Sequence, residues 1–427
     1  MNRTGRRTRG STDVRPLLAV APEHPLDFLA VLRNALAGSG PAVLPLSTDR
    51  AAGMPVLGDV PKRVAVVIET SGSTGAPKRA MLATNALLAG AAASAVALGG
   101  PGQWLLALPV HYIAGVQVLV RSIAAETTPI VLPPGHFDPQ NLLRLAETMT
   151  EPLRYTALVP VQLARLLDAS EDPALLAVLR RFTAILVGGQ AIRPELIARA
   201  AELEVRVVRT YGSSETAGGC VYDGVPIGDT FVRLVDGQLE LSGAVLAEGY
   251  LDDAARTADR FIVEQGVRWY RTGDLGEVDP LSGRVTVLGR ADNVIISGGE
   301  KVSLDAVERI VRSCLGFETA IVLGGDDAQW GQVPVLVVAG PEGAAADLAV
   351  VGSSVVTLLG RAARPARVVR VEQIPLLASG KPDRVALASI VLAGTVLAGT
   401  VLASPGPTSS MVAWHKELGR SGPNNKD

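Results

Sequence analysis

Cysteine is nearly missing from this chain of 427 residues: only Cys220 and Cys314 occur, far apart. Two such residues build neither a disulfide framework nor a thiolate zinc cluster. A reducing cytoplasmic compartment fits that usage. Aromatic residues are scarce as well, at 4%, so platforms for stacking nucleic-acid bases are not expected. An excess of one charge is also absent. Lys plus Arg number 40 against 42 Asp plus Glu, a formal net charge of −2. Without a basic field, a general nucleic-acid binder is a poor reading. Apolar residues, by contrast, reach 48% against 19% charged. Such a chain is neither disordered nor collagen-like. Its length suggests two or three domains.

Two uncharged runs need a membrane check. Residues 80–120 hold no Asp, Glu, Lys or Arg. Asn85, Gln103, His111, Gln117, Pro101 and Pro109 interrupt the run, which reads as a buried helix, a turn and a strand. Residues 385–403 are also uncharged and contain VLAGT twice, at 391–395 and 396–400. That approaches the ~20 residues a bilayer requires. Its residues are small and only mildly apolar, so the expectation is a C-terminal helix entering a variable tail, with no stable membrane insertion. The N-terminal MNRTGRRTRG lacks an apolar segment behind its arginines and reads as a basic, disordered tail, not a secretory signal.

Short apolar runs at 64–68, 104–108, 129–132, 155–159, 184–187 and 205–208 read as strands. Helical patterns at 139–149, 161–168 and 194–203 lie between most of them. That alternation predicts a parallel α/β sheet. Past residue 224, short strands and turns predict a small β-rich subdomain. Residues 300–312 predict an amphipathic helix, followed by strands at 319–323 and 333–339, a helix at 345–360 and a strand at 366–371. The expected layout is a basic tail (1–14), a large α/β domain (15–290), a small α+β domain (291–390) and a repeat-containing tail (391–427).

Five blocks carry chemistry. TSGSTGAPK, Thr70 to Lys78, follows the VAVVI strand. Its glycines allow close backbone approach, its N–H groups and hydroxyls can cradle an anion, and Lys78 adds a point charge. A polar surface turn is the alternative, and the Walker spacing does not fit. YGSSETAGG, Tyr211 to Gly219, offers hydroxyls and Glu215, able to hold Mg²⁺ beside phosphates or to sit in a helix N-cap. WYRTGDLG, Trp269 to Gly276, places Asp274 in a turn suited to a ribose diol, or simply in a turn. GRADNVIISGGEKVSLDAVE, Gly289 to Glu308, puts Arg290 and Asp292 at the expected domain seam. SGKPDR, Ser379 to Arg384, holds Lys381, which is otherwise a solvated surface lysine.

Together and in this order, the five blocks resemble the adenylate-forming superfamily of acyl-CoA synthetases, luciferases and peptide-synthetase adenylation domains. The resemblance covers roughly residues 62 to 390. One departure is Ser214, where the family usually has Thr; the hydroxyl is kept. The resemblance implies a mobile C-terminal domain and two half-reactions. A carboxylate attacks the α-phosphate of ATP, with Mg²⁺ as the metal; the CoA thiol then displaces AMP. It implies phosphate contacts from Thr70, Ser71, Gly72, Ser73, Thr74, Gly75, Lys78 and Ser214, and Mg²⁺ on Glu215. Gly188, Gly189, Gln190, Tyr211 and Gly212 would frame the adenine, and Asp274 and Arg290 the ribose. Lys381 would bridge the α-phosphate and the attacking carboxylate. Asp292 would be the hinge, and Gly298, Gly299 and Lys301 the CoA side.

The segment LPVHYIAGVQVLVRS, 108–122, resembles the acyl-pocket region of the o-succinylbenzoate-activating members that serve menaquinone synthesis. The GGCVYDG run after Glu215 resembles their actinobacterial version. The short stretch before Thr70 suits compact members. The resemblance implies that Arg121, His111 and Ser213 face the acyl substrate. Arg121 is an isolated charge after an uncharged run, and buried arginines normally meet an anion. A second substrate carboxylate would serve; so would Glu126, if Arg121 ended a strand. His111 either closes over the acyl site or is structural. Other readings remain open: a ligase for another aryl or medium-chain acid, an enzyme that loads a carrier protein, or a non-catalytic relative. The oligomeric state is also open, a homodimer among the options.

Overall fold

A computed structural model describes residues 13–48, 56–70, 77–340, 348–376 and 382–392. The fold is mixed α/β, and the chain divides into two compact units. The first holds the residues up to Asp292 and Leu376; the second holds 293–375 and 382–392. The first strand, Val14–Val20, begins one residue inside the stretch read as tail.

Among the described residues the first unit carries three sheets. One runs in the order Gly249–Tyr250, Lys78–Ala83, Val64–Thr70, Ala42–Pro45, Val14–Val20, Val56–Pro61. Its three central strands are parallel and the others antiparallel. The second has a parallel core of Val207–Ser213, Ala184–Val187, Arg154–Leu158, Gln103–Leu106 and Ile130–Val131. Gly218–Tyr222 and Val225–Pro226 extend it antiparallel. Both faces of the core are covered. Trp104, Leu106, Ala184 and Leu186 enter one apolar cluster, whereas Leu105, Ile185 and Val187 enter another. That is the period-2 alternation of a strand buried on both sides, and it explains why these runs are continuously apolar. The third sheet is antiparallel, built from Phe231–Val235, Gln238–Ser242, Val267–Val278, Phe261–Glu264 and Val285–Arg290.

The uncharged run 80–120 departs from the expectation. Helix Thr84–Leu98 and strand Gln103–Leu106 are followed by a second helix, Ile113–Ala124. Arg121 therefore lies in the last turn of a helix, not at a strand end. The helix starts close against the preceding turn. A Cβ on Gly115 would lie 2.2 Å from the Pro109 carbonyl oxygen. Gly115→Ala is thus expected to shift that helix and destabilise the protein by about 1–3 kcal/mol, an overpacking cost; denaturant unfolding checks it.

In the second unit, strands Glu300–Ser303, Val294–Ser297, Gly331–Ala339, Ile321–Asp327 and Arg367–Val371 form one sheet. Helices Leu304–Arg312 and Leu348–Leu359 cover one face and Arg384–Leu392 the other. The amphipathic helix expected over 300–312 starts only at Leu304. Residues 300–303 pair with Val294–Ser297 instead, and Ser303 caps the helix by accepting from the Ala306 N–H. Among the described residues no helix is long and apolar enough to cross a membrane.

Candidate active site

Thr70 and Lys78 face each other across antiparallel strands. The segment between them therefore joins two strands and does not lead into a helix. Ser71, Gly72, Ser73, Thr74 and Gly75 lie outside the described residues. Lys78 is half-buried and forms no ion pair with a described residue. Burial lowers its pKa, as do Arg256, Arg260 and Arg290, while Glu215 pulls the other way. One carboxylate and several cations thus converge here.

Glu215 sits in a 3₁₀ turn, Ser214–Thr216, whose start is tied by Ser213. The Ser213 hydroxyl accepts from the Glu215 N–H, and the Thr216 hydroxyl accepts from the Ser213 N–H. Glu215 is only 6% exposed, and its Oε1 accepts a hydrogen bond from the Tyr250 hydroxyl at 2.8 Å. Burial, and then the Glu215 charge, push the pKa values of Tyr250 and Tyr270 up. Both phenols stay protonated, and Tyr250 holds the carboxylate as a donor. Among the described residues no group of three or more His, Cys, Asp or Glu side chains could hold a metal. Glu215 offers a single carboxylate, which suits a cation that fills the rest of its shell with phosphate oxygens and water, as Mg²⁺ does.

Tyr211, Asp274 and Arg290 meet, although they are distant in sequence. The Tyr211 hydroxyl donates to Asp274 Oδ2 at 2.6 Å, and Arg290 Nη1 to Asp274 Oδ1 at 3.0 Å. The register of strands Val267–Val278 and Val285–Arg290 sets Asp274 opposite Arg290. Arg290 also grips Asp292 through Nε and Nη2, both at 3.1 Å. That hydrogen bonding lowers the Asp292 pKa. Asp274 is raised instead, because burial outweighs its two donors. Gly188, Gly189 and Gln190 lie in the loop after strand Ala184–Val187, and Gly212 lies in the strand that carries Tyr211.

Gln117 Nε2 donates to the Ala217 carbonyl at 2.6 Å and so ties helix Ile113–Ala124 to the Glu215 turn. His111, just before that helix, packs against Tyr112 with ring centroids 4.2 Å apart. Arg121 is 7% exposed. It forms no ion pair with Glu126 or any other described carboxylate. Its Nη2 donates to the Tyr222 hydroxyl at 3.2 Å, and it stacks on Trp104. Sequence reasoning missed Tyr250, Tyr222, Trp104 and Arg260. All are brought in by tertiary packing, and none lies in a dense motif except Tyr222, which sits in the GGCVYDG run.

In the second unit, Gly298 and Gly299 form the two-residue turn of a hairpin, both at positive φ, 57° and 88°. The Gly298 N–H donates to the Trp330 carbonyl, and a Cβ on Gly298 would enter the Trp330 ring at 2.5 Å. Two adjacent left-handed residues are what a tight hairpin demands. Lys301 is exposed on the following strand. Lys381 lies outside the described residues. Its neighbours are anchored: Asp383 caps helix Arg384–Leu392 by accepting from the Ala386 N–H. Arg384 donates to buried Glu308 at 2.6 Å. Glu308→Ala would take one partner from that guanidinium, which keeps the Val322 carbonyl, and would strand the Val322 N–H that Glu308 also accepts. The expected cost is about 1–3 kcal/mol, read as a lower unfolding midpoint.

The fold and the site together are those of an enzyme class that binds AMP. Residues 25–249 match the family model of the AMP-binding enzyme, and 306–381 match that of the AMP-binding enzyme C-terminal domain. The chain belongs to the AMP-binding enzyme family. Among its relatives, a Mycobacterium tuberculosis protein named probable 2-succinylbenzoate–CoA ligase is 39% identical over 84% of this chain and 94% of its own. The 2-succinylbenzoate–CoA ligase of Salmonella typhimurium is 32% identical over 75% of this chain and 68% of its own. A solved structure of Escherichia coli MenE with bound OSB-AMS shares the fold, with TM-score 0.69 and 25% identity, covering 90% of this chain and 89% of that one.

Proposed function

We propose that the protein is an ATP-dependent acid–thiol ligase of menaquinone biosynthesis. It converts o-succinylbenzoate, through its acyl-adenylate, into the CoA thioester in the cytoplasm. The observation that carries the acid's identity is Arg121, a buried guanidinium with no described carboxylate partner. A dicarboxylic substrate supplies the missing anion. The named relatives support the same reading.

In this reading Thr70, Ser71, Gly72, Ser73, Thr74, Gly75, Lys78 and Ser214 hold the ATP phosphates. Lys78 suits the task because no described residue pairs with it. Glu215, held in a fixed position by Tyr250, holds Mg²⁺, which neutralises phosphate charge when bound. Gly188, Gly189, Gln190, Tyr211 and Gly212 frame the adenine. Asp274 accepts from the ribose, oriented by Tyr211 and Arg290. Lys381 stabilises the charge that develops as the carboxylate attacks. Asp292, after which the chain first passes into the second unit, is the hinge, and Gly298, Gly299 and Lys301 belong to the CoA side. His111 and Ser213 border the acyl group.

The test is ATP- and CoA-dependent thioester formation with o-succinylbenzoate beside benzoate, octanoate and acetate. Strong selectivity for o-succinylbenzoate is expected. Efficient turnover of the monocarboxylates would retain adenylate chemistry and overturn the substrate.

A further inference from the structure

The surroundings of Arg121 hold more than the arginine itself. Among the described residues its guanidinium meets only neutral groups. Nη2 donates to the Tyr222 hydroxyl at 3.2 Å, and Cζ lies 4.8 Å from the centre of the Trp104 ring. Nε is buried without a partner among the described residues. Tyr222 is 5% exposed and in turn shares a 2.9 Å hydrogen bond with Ser94 Oγ, a fully buried hydroxyl on helix Thr84–Leu98. A desolvated guanidinium with no counter-charge is expensive to keep.

The hydrogen-bond geometry says how this arrangement can be used. Nη2 carries two hydrogens. Nη2 donates to Tyr222 through one of them, and Nε and Nη2 share one edge of the guanidinium. That edge is the fork that grips carboxylates side-on. The same molecule displays the filled version, where Arg290 takes Asp292 through Nε and Nη2. At Arg121 the fork meets no described carboxylate. A neutral phenol at position 222 fixes the guanidinium without cancelling its charge. An acidic residue there would fix it and consume the charge as well.

We propose that Tyr222, braced by Ser94, is a positioning residue for the substrate's second carboxylate. It holds one Nη2 hydrogen and Trp104 holds the plane of the guanidinium, so the Nε–Nη2 edge is presented to the acid. This rests on the reading of Arg121 as a substrate-facing residue. Tyr222 touches the substrate through Arg121 alone, so it sets acid selectivity and leaves the chemical step unaffected.

The test compares Tyr222→Phe, Ser94→Ala and Arg121→Ala with the wild-type protein. The acids are o-succinylbenzoate and 4-oxo-4-phenylbutanoate, the same acid without the ring carboxylate. The analogue is followed as a substrate or, if it turns over slowly, as a competitive inhibitor. Tyr222→Phe is expected to raise the KM for o-succinylbenzoate about tenfold, the size of one charge-assisted hydrogen bond. Its kcat, its KM for ATP and its affinity for the analogue should stay at wild-type values. Ser94→Ala should move the same constant in the same direction by less, and it decides the matter if Tyr222→Phe does not fold. An equal loss for both acids would make Tyr222 merely structural and overturn the proposal, as would no change for either acid. If Arg121→Ala leaves the o-succinylbenzoate dependence intact, the failure belongs to the parent reading instead.

Discussion

Lys381→Ala is expected to reduce acyl-adenylate formation by ~10²–10³ while leaving thioester formation from supplied acyl-adenylate largely intact. A cation placed against charge that develops only in the transition state affects the step in which that charge appears. In the second half-reaction AMP leaves and a thiol attacks, so a group that serves the first attack has no counterpart there. The folded state should tolerate the change. The segment just beyond Lys381 is held by the Asp383 cap and the Arg384–Glu308 pair, which the substitution does not touch. Pyrophosphate exchange reads the first half-reaction, and CoA-dependent consumption of acyl-adenylate reads the second. Equal loss in both would remove Lys381 from the proposed role.

The second large effect is that of Arg121→Ala. Loss of the guanidinium should cost the substrate carboxylate about 3 kcal/mol, a roughly hundredfold rise in KM for o-succinylbenzoate. The KM for ATP should stay near its wild-type value. Stability offers a separate reading. Breaking a buried ion pair costs about 3–5 kcal/mol because the abandoned partner stays charged. Arg121 leaves no described carboxylate behind; its described partners are the Tyr222 hydroxyl and the Trp104 face. The melting temperature of Arg121→Ala should therefore change little while the acid dependence changes greatly. The reverse pattern would mark Arg121 as a structural residue.

Arg121 also shows where sequence legibility stops. Its isolation after a long uncharged run marked it as unusual, because charge is a property of the residue alone. The run itself was ambiguous, since it lacks the polar positions that reveal a period. Helix and strand look alike in such a stretch. The choice of a helix came from packing: Gly115 lets the chain pass against the Pro109 carbonyl. Residues 300–303 show the same limit. EKVS continues into an amphipathic helix by pattern, but pairing with Val294–Ser297 around the Gly298–Gly299 turn claims those four residues for a strand. Strand pairing is a non-local choice that local propensity cannot anticipate.

The residue chemistry of this protein is written in the sequence. Hydroxyl- and glycine-dense Thr70–Lys78, the acid in Tyr211–Gly219 and the lone Arg121 are local facts about residue type and order. Which groups face each other was decided only in three dimensions. Tyr250 reaches Glu215, Asp274 is set opposite Arg290, and Tyr222 with Ser94 reaches Arg121. Hydrogen bonds act over about 3 Å, and sequence spacing carries no information at that range across separate strands and helices. Packing and strand register supply it.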